Sequence, residues 1–353
     1  MACAGTNGVE SENTYDEMIC PAGTNPCPSS VLAHRAFRII AGWSIIDAEC
    51  GAESRSGGAE QTMDGLPNTQ YRHIEIHPIA GALGAEISGV DLAQDFPDAV
   101  MAEIRAALLA HQVIFFRDQT ITPAQQLAFA KRWGDIHLHP FVEGIPDFPE
   151  ILEIKKSEGD KRNFGGTWHT DQMFNPRPAM ATMLYCRKVP EYGGDTLWTN
   201  QYLALESLSP AMQALLAPLK VVAKGEGTKK YGGKSRLEYY GNTLSQVKVK
   251  DPGDLQTTSV HPVVRTHPGT GRKSLYIGSH VNEFEGMTEA ESSPFIDFLM
   301  AHSIKPEFTC RFRWAPGSLA LWDNRCTMHF AINDYPAGAR LMHRITIRGD
   351  EPV

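Results

Sequence analysis

The chain has 353 residues, a hydrophobic content of 42% and a formal net charge of −8. This composition is typical of a globular protein with a large core, and one catalytic domain with an appendage fits it better than two equal domains. No long basic run suggests a nucleic acid partner, and no apolar stretch approaches the roughly 20 residues needed to span a bilayer.

The first 70 residues differ from the rest of the chain, being rich in Gly, Ser and Asn and containing four of the seven cysteines. We expect residues 1–70 to be an N-terminal extension that is largely disordered. Met63 lies shortly before the regular part of the chain, so we also expect the native protein to begin there. An intact mass that includes residues 1–62 would contradict this.

The cysteines are scattered without the paired spacing of a zinc ribbon or a disulfide framework. This usage predicts a cytoplasmic protein. Cys186 and Cys310 lie in strand-like runs and are predicted to be small core residues, and Cys326 is predicted to be a buried structural thiol.

Residues 71–353 carry regular patterns and are expected to form one catalytic domain. In its first part, short strands alternate with helices that have caps and apolar faces. We predict strands at 74–78, 83–90 and 112–116, helices at 97–111 and 122–133, and a loop-rich stretch at 141–167.

The stretch Trp168-His169-Thr170-Asp171 suggests half of a metal site. Residues two apart on an extended strand point to the same face, so His169 and Asp171 can present an imidazole and a carboxylate to one cavity. The pair alone is a weak signal, because a surface turn or an N-cap also explains it. Adding His329 gives a ligand set of two imidazole nitrogens and one carboxylate oxygen. This set leaves other coordination positions of the metal open, as in non-haem Fe(II) oxygenases.

The middle of the chain predicts further strands and two helices, with one long segment between them. We predict strands at 178–189, 195–199, 261–266, 273–278, 309–314 and 318–322, and helices at 203–219 and 288–302. Residues 221–259 are polar and too long for a passive connection, so we interpret them as a lid; a disordered insertion is the alternative. Many short strands with flanking helices fit a mainly β double-stranded β-helix, a jelly roll of the cupin type.

The C-terminal stretch Arg340–Ile347 alternates with strand period, which puts Arg340 and Arg344 on one face. The turn-rich residues 333–338 can fold this strand back beside His329. Arginine binds carboxylates with two parallel hydrogen bonds, so a dicarboxylate could lie with one end on the metal and the other on Arg340.

These motifs, in this order, resemble the taurine dioxygenase/2,4-D dioxygenase (TauD/TfdA) family of Fe(II)- and 2-oxoglutarate-dependent oxygenases. The resemblance runs from about Ile74 to Asp350 and includes the stretches 84–92, 111–119, 168–171, 193–198 and 322–329. It implies Fe(II), 2-oxoglutarate and O2 as the reacting partners, with succinate and CO2 as products beside a hydroxylated substrate. It also implies a homo-oligomer.

The resemblance gives roles to further residues. Thr196 matches the hydroxyl that shares the distal carboxylate of 2-oxoglutarate with the arginine, here Arg340. His139 matches a histidine that helps to bind the substrate's anionic group, although a core or surface histidine is an equal alternative, and the neighbouring His137 is expected to be one of those. Arg344 is the candidate for the substrate's anion or the C1 end of 2-oxoglutarate; an ordinary ion pair is the alternative.

The expected substrate is a small anionic organic molecule, taurine or another sulfonate, with alkyl sulfates or phenoxy acids as alternatives within the family. Three positions depart from the taurine enzyme, since Val142, Gly165 and Gln172 stand where it has a tyrosine, an asparagine and a small apolar residue. A metal-binding cupin that senses a ligand and a zinc hydrolase remain other classes. The zinc hydrolase is disfavoured because no matched general base accompanies the three ligands.

Overall fold

The computed structural model describes residues 71–157, 160, 163–226, 232–235, 238–239, 257–335 and 338–353. The predicted N-terminal extension and much of the predicted lid therefore lie outside the described residues. No helix within these ranges has both the length and the apolar character needed to cross a membrane.

The described residues contain fifteen strands and five α-helices. The strands are β1 (Glu75–Pro78), β2 (Ala85–Ser88), β3 (Val113–Phe116), β4 (Leu152–Lys156), β5 (Ala179–Lys188), β6 (Thr196–Asn200), β7 (Lys220–Lys224), β8 (Thr258–Pro262), β9 (Val264–Thr266), β10 (Lys273–Leu275), β11 (Val281–Phe284), β12 (Thr309–Phe312), β13 (Leu319–Asp323), β14 (Thr327–Ala331) and β15 (Arg340–Arg348). The helices are α1 (Asp98–His111), α2 (Pro123–Lys131), α3 (Gln201–Glu206), α4 (Pro210–Leu216) and α5 (Glu289–Ser303).

The strands form a jelly roll. A seven-stranded sheet has the order β1-β2-β3-β13-β5-β15-β4, and a three-stranded sheet has the order β12-β6-β14. Buried side chains from both sheets share one core cluster, in which the ring of Phe115 on β3 stacks on that of Phe312 on β12 with centroids 4.0 Å apart. The two sheets therefore pack face to face, as in a sandwich.

The other face of the seven-stranded sheet is covered by α1 and α2. Thr122 starts α2 with a capping box, in which its side chain accepts from the backbone N–H of Gln125 while the Gln125 side chain accepts from the backbone N–H of Thr122. Gln112 ends α1 in the left-handed region, at a φ of 63°, and the chain then enters β3. This tight exit places the fully buried run 113–116 in the middle of the sheet.

Several elements differ from the sequence prediction. The stretch 141–167 contains a strand, β4, and the predicted helix at 203–219 is two short helices, because Ser209 and Pro210 start a new N-terminus. The predicted strand at 261–266 is divided between β8 and β9, and β11 was not predicted. The lid segment begins inside β7 and ends inside β8, which pair antiparallel.

Candidate active site

Two distant parts of the chain, residues 169–171 and β14, meet between the two sheets. His169 lies after β4 and forms an isolated bridge with His329 of β14, with reciprocal backbone hydrogen bonds of 3.1 and 2.8 Å. Asp171 Oδ1 lies 3.6 Å from His169 Nε2 and 3.7 Å from His329 Nε2. The three side chains are buried, and their donor atoms all lie within 4.8 Å of one another. The structure therefore brings together all three predicted metal ligands.

A backbone carbonyl fixes the orientation of one imidazole. His169 Nδ1 lies 2.6 Å from the carbonyl oxygen of Thr167, which can only accept. Nδ1 therefore carries the proton, and the lone pair of Nε2 points to Asp171. This is the tautomer that a metal-binding histidine needs.

The carboxylate of Asp171 is held at both oxygens. Its Oδ2 accepts a hydrogen bond of 2.6 Å from the Thr182 hydroxyl, and its Oδ1 lies 2.8 Å from Arg344 Nη2. Burial raises the pKa of Asp171, but the positive charge of Arg344 and the neighbouring imidazoles outweigh it, so the pKa lies well below its usual value. The group is therefore an anion, as a carboxylate metal ligand must be.

A narrow cavity opens from these side chains. Its lining combines the metal-ligand candidates with arginines of β15 and apolar residues from both sheets: Ile154, Phe164, Gly165, His169, Asp171, Leu184, Thr196, Trp322, His329, Ala331, Arg340 and Arg344. Arg340, Arg344 and Thr196, all predicted from sequence, therefore face the same space as the three candidate ligands. Arg340 and Arg344 lie in the sheet opposite β14, rather than beside His329 in one sheet.

Arg340 is a buried cation with unused hydrogen-bond donors. The residue is 6% exposed, and its Nε and Nη2 have no hydrogen-bond partner among the described residues. Burial lowers its pKa, but a guanidinium stays charged in a protein. Thr196 accepts a hydrogen bond of 3.0 Å from Trp314 Nε1, so its own hydroxyl proton is left to donate. The donor set fits a carboxylate of a ligand.

The predicted anion-binding residues differ in position. Arg344 lines the cavity and is paired with Asp171, while its buried Nε has no hydrogen-bond partner among the described residues. His139 is buried beside the cavity, with its ring centroid 6.5 Å from that of Phe164, which lines it. The backbone N–H of Phe141 donates to His139 Nδ1, so Nε2 carries the ring's proton. His137 is half-buried, and burial together with Arg348 and Arg344 lowers its pKa to about 4.

An aromatic cluster adjoins the cavity near His139. It consists of buried Phe141, Val142, Leu152 and Phe174, with the partly buried Phe164 and Tyr239 packed against them. Tyr239 belongs to the predicted lid segment, so one described residue of that segment reaches this cluster. The cluster gives the site an apolar side that sequence reasoning did not identify.

A second buried group of possible ligands is a hydrogen-bond network rather than a metal site. His267, Asp323 and Cys326 lie close together. His267 Nδ1 accepts from the backbone N–H groups of Gly269 and Thr270, so its Nε2 carries the proton that it donates to Asp323 over 3.0 Å. Arg325 occupies both oxygens of Asp323 at 2.8 and 2.6 Å. No lone pair of His267 is left for a metal.

The buried thiols agree with their predicted structural roles. Cys186, Cys310 and Cys326 are free and buried. Burial raises the pKa of Cys186 to about 11 and that of Cys310 to about 12, and it also raises that of Cys326. All three are therefore inert thiols at neutral pH.

A jelly roll with two imidazoles and one carboxylate at a cavity is the architecture of a mononuclear non-haem iron oxygenase. The family model described as "Taurine catabolism dioxygenase TauD, TfdA family" matches residues 75–346. The chain belongs to this family and is a 2-oxoglutarate-dependent dioxygenase that uses Fe(II), 2-oxoglutarate and O2.

Individual relatives extend this finding. An alpha-ketoglutarate-dependent sulfate ester dioxygenase of Pseudomonas putida is 35% identical over 79% of this chain and 91% of that protein. An alkylsulfatase of Acinetobacter baylyi is 33% identical over 79% of this chain and 86% of that protein. The crystal structure of a taurine dioxygenase from Burkholderia xenovorans superposes with a TM-score of 0.66 at 34% identity, covering 80% of this chain and 91% of that one.

Proposed function

We propose that this dioxygenase hydroxylates an organic sulfonate or sulfate ester whose carbon part is largely apolar. The observation that carries the proposal is the cavity itself, where His169, Asp171 and His329 share one space with two buried arginines. The aromatic cluster on the other side favours an apolar group on the substrate. Similarity to a sulfate ester dioxygenase and to an alkylsulfatase supports the same substrate class.

In this proposal His169, Asp171 and His329 hold the ferrous ion. Two neutral nitrogens and one anionic oxygen suit Fe(II) and leave positions for other ligands. When bound, the ion and 2-oxoglutarate supply the oxidation, in which O2 converts the keto acid to succinate and CO2 and hydroxylates a substrate C–H bond. The chain's part is to bind, orient and shield the reactants.

Arg340 and Thr196 hold the C5 carboxylate of 2-oxoglutarate. Two donors of Arg340 lack partners within the described residues, which is costly for a buried cation unless a ligand supplies acceptors. Thr196 adds a third donor, because its oxygen is already occupied by Trp314. The dicarboxylate then spans the cavity between the metal and β15.

Arg344 and His139 receive the anionic head of the substrate. Arg344 lines the cavity beside Asp171, with an unused Nε among the described residues, and His139 presents an Nε2–H beside Phe164. The aromatic cluster then takes the carbon chain. Taurine's ammonium group would lose its hydration against these rings without gaining an ion pair with a carboxylate of the protein. We therefore expect alkyl sulfates and alkylsulfonates to be better substrates than taurine.

Release of succinate tests the substrate class. The purified enzyme with Fe(II), 2-oxoglutarate and O2 is given hexyl sulfate, hexanesulfonate, taurine and phenoxyacetate, with hexanol as the uncharged control. We expect the first two to stimulate succinate release most. Hexyl sulfate should also yield sulfate, because hydroxylation of the carbon that bears the ester oxygen gives an unstable product that collapses to hexanal and hydrogen sulfate. Equal turnover with hexanol would contradict a dedicated anion site.

The two arginines give a matched pair of variants. Arg344→Ala should raise the KM for the organic substrate far more than the KM for 2-oxoglutarate, and Arg340→Ala should do the opposite. Matched effects on both KM values would refute this division of roles.

Phenoxy acids are a second candidate substrate, favoured by the four aromatic rings of the cluster. Preferred turnover of phenoxyacetate in the same assay would establish it. Homo-oligomerisation also stays a prediction, which light scattering on the purified protein tests. The buried free cysteines support the predicted cytoplasmic location.

A further inference from the structure

The two oxygens of Asp171 have different surroundings. Oδ1 faces both imidazoles and Arg344, whereas Oδ2 accepts the 2.6 Å hydrogen bond from Thr182. Thr182 and Arg344 project from the neighbouring strands β5 and β15. The seven-stranded sheet therefore holds the carboxylate from one side and leaves only Oδ1 toward the imidazoles.

Trp322 Nε1 can only donate a hydrogen bond, and this fixes the direction of the hydrogen bonds that lead through Asn324 to Thr182. Trp322 Nε1 donates to Asn324 Oδ1 over 2.9 Å, which fixes the orientation of the Asn324 amide. Its Nδ2 must then donate to Thr182 Oγ1, at 3.0 Å. Because Thr182 Oγ1 accepts there, its single proton is directed to Asp171 Oδ2.

The relay of Trp322, Asn324 and Thr182 is rigid. Thr182 is fully buried in a central strand and lies opposite Trp322 on β13 in the ladder. Asn324 continues that ladder through its backbone N–H, which donates to the carbonyl of Met180. Asn324 Oδ1 also accepts from the backbone N–H of Asp171 at 3.3 Å, and its own carbonyl accepts from the Thr170 hydroxyl at 2.6 Å. Asp171 is thus positioned by its backbone and its side chain together.

We propose that Thr182 and Asn324 are positioning residues that make Asp171 a single-oxygen ligand through Oδ1. An octahedral ion that also accepted Oδ2 would lose one of the positions that 2-oxoglutarate and O2 need. The relay prevents this, because turning Oδ2 to the metal would break the Thr182 hydrogen bond and leave the buried hydroxyl proton of Thr182 without an acceptor. The inference rests on the metal site of the proposed function.

Three variants separate the hydroxyl from the shape of the side chain. Thr182→Val keeps the volume but removes the donor, and Thr182→Ser keeps the donor. Asn324→Ala leaves the donor but removes the group that directs it. Loss of a hydrogen bond to a metal ligand typically weakens metal binding roughly 10–100-fold. We expect wild-type affinity in Thr182→Ser, an intermediate loss in Asn324→Ala and the largest loss in Thr182→Val.

Cobalt(II) is the probe, because its visible absorption reports coordination number and its affinity can be measured by chelator competition without turnover. We expect Thr182→Val to bind Co(II) roughly 10–100-fold more weakly than wild type, with an absorption band altered toward higher coordination, and Thr182→Ser to restore both. Thermal melting of the metal-free proteins shows which variants are folded. Wild-type affinity and spectrum in Thr182→Val would overturn the relay.

If Thr182→Val does not fold, Asn324→Ala decides the question. Wild-type Co(II) affinity and spectrum in Asn324→Ala would also overturn the relay. The proposed metal site itself would be refuted if wild-type protein did not bind Co(II), or if His169→Ala bound Co(II) as tightly as wild type. Failure of the relay and failure of the proposed function are therefore distinguishable.

Discussion

Replacing Arg340 by methionine should make the protein more stable while removing its ability to bind 2-oxoglutarate. Methionine fills a similar space with a flexible apolar side chain. The wild-type arginine is 6% exposed, and its Nε and Nη2 have no partner among the described residues. The free enzyme therefore carries an unfavourable buried cation that the variant lacks.

The magnitude follows from these two donors. An unsatisfied buried donor costs about 1–3 kcal/mol, so removing two should stabilise the free protein by about 2 kcal/mol once the weaker packing of the shorter side chain is subtracted. This corresponds to a rise in Tm of roughly 4–8 °C. Two charge-assisted hydrogen bonds to a carboxylate contribute about 3–6 kcal/mol, so 2-oxoglutarate should bind roughly 10²–10⁴-fold more weakly.

Thermal melting with and without N-oxalylglycine, a non-reactive analogue of 2-oxoglutarate, in the presence of Zn(II) measures both effects. Wild type should gain stability from the analogue, and Arg340→Met should melt higher without it and gain little with it. Arg348→Met is the matched control, because this arginine lies on the same strand but is exposed. A lower Tm in Arg340→Met, together with an undiminished response to the analogue, would refute the reasoning.

Three further predictions test neighbouring parts of the account. Trp314→Phe removes the donor to Thr196 but keeps a ring, so the KM for 2-oxoglutarate should rise roughly fivefold with kcat unchanged in steady-state kinetics; a changed kcat with unchanged KM would argue against it. Phe164→Ala opens the apolar side of the cavity, so kcat/KM for hexyl sulfate should fall more than that for methyl sulfate, and equal losses would contradict the proposed contact with the carbon chain. Burial raises the pKa of Glu103, but hydrogen bonds from the backbone and side chain of His73 and from the backbone of Arg72 outweigh it and lower the pKa to about 2 from its usual 4.5. Its contribution to stability is therefore complete above pH 4.5 and lost as the pH falls toward 2. Urea unfolding should show Glu103→Gln less stable than wild type at about pH 6 and the two converging as the pH falls through about 2, and a constant difference would contradict this.

The metal-ligand candidates could be predicted because their chemistry is visible in local sequence. His169 and Asp171 are separated by one residue in the sequence. The alternation of residues 340–347 placed Arg340 and Arg344 on one face of a strand. The structure brings these residues into one cavity with Thr196. His139 was the weaker prediction; its ring lies 6.5 Å from that of Phe164, and it is not itself among the lining residues.

The supporting residues could not be predicted, because their partners are distant in sequence and their side chains are common. Thr182 reads as one more β-branched residue of a buried strand, and its contact with Asp171 arises only from the pairing of β5 with β13 and β15. Trp314 likewise looks like a core residue until its Nε1 is seen to bond Thr196.

The fold was predicted in class but not in every element. Strand β4 was missed because Leu152–Lys156 mixes charged and apolar residues, and its Lys156 is buried by pairing with β15 rather than by its own character. The single predicted helix at 203–219 ignored a strong start signal, Ser209 followed by Pro210. Strand β4 was therefore missed because it depends on tertiary pairing, and the helix was drawn too long because its second N-cap was overlooked.

We propose that His169, Asp171 and His329 hold one ferrous ion at which 2-oxoglutarate also binds. Visible absorption spectroscopy of the anaerobic protein tests it directly. Fe(II) and 2-oxoglutarate together should produce a charge-transfer band in wild type that neither produces alone, and His329→Ala should lose it. A wild-type protein that binds both without such a band, or a band that persists in His329→Ala, would contradict the account.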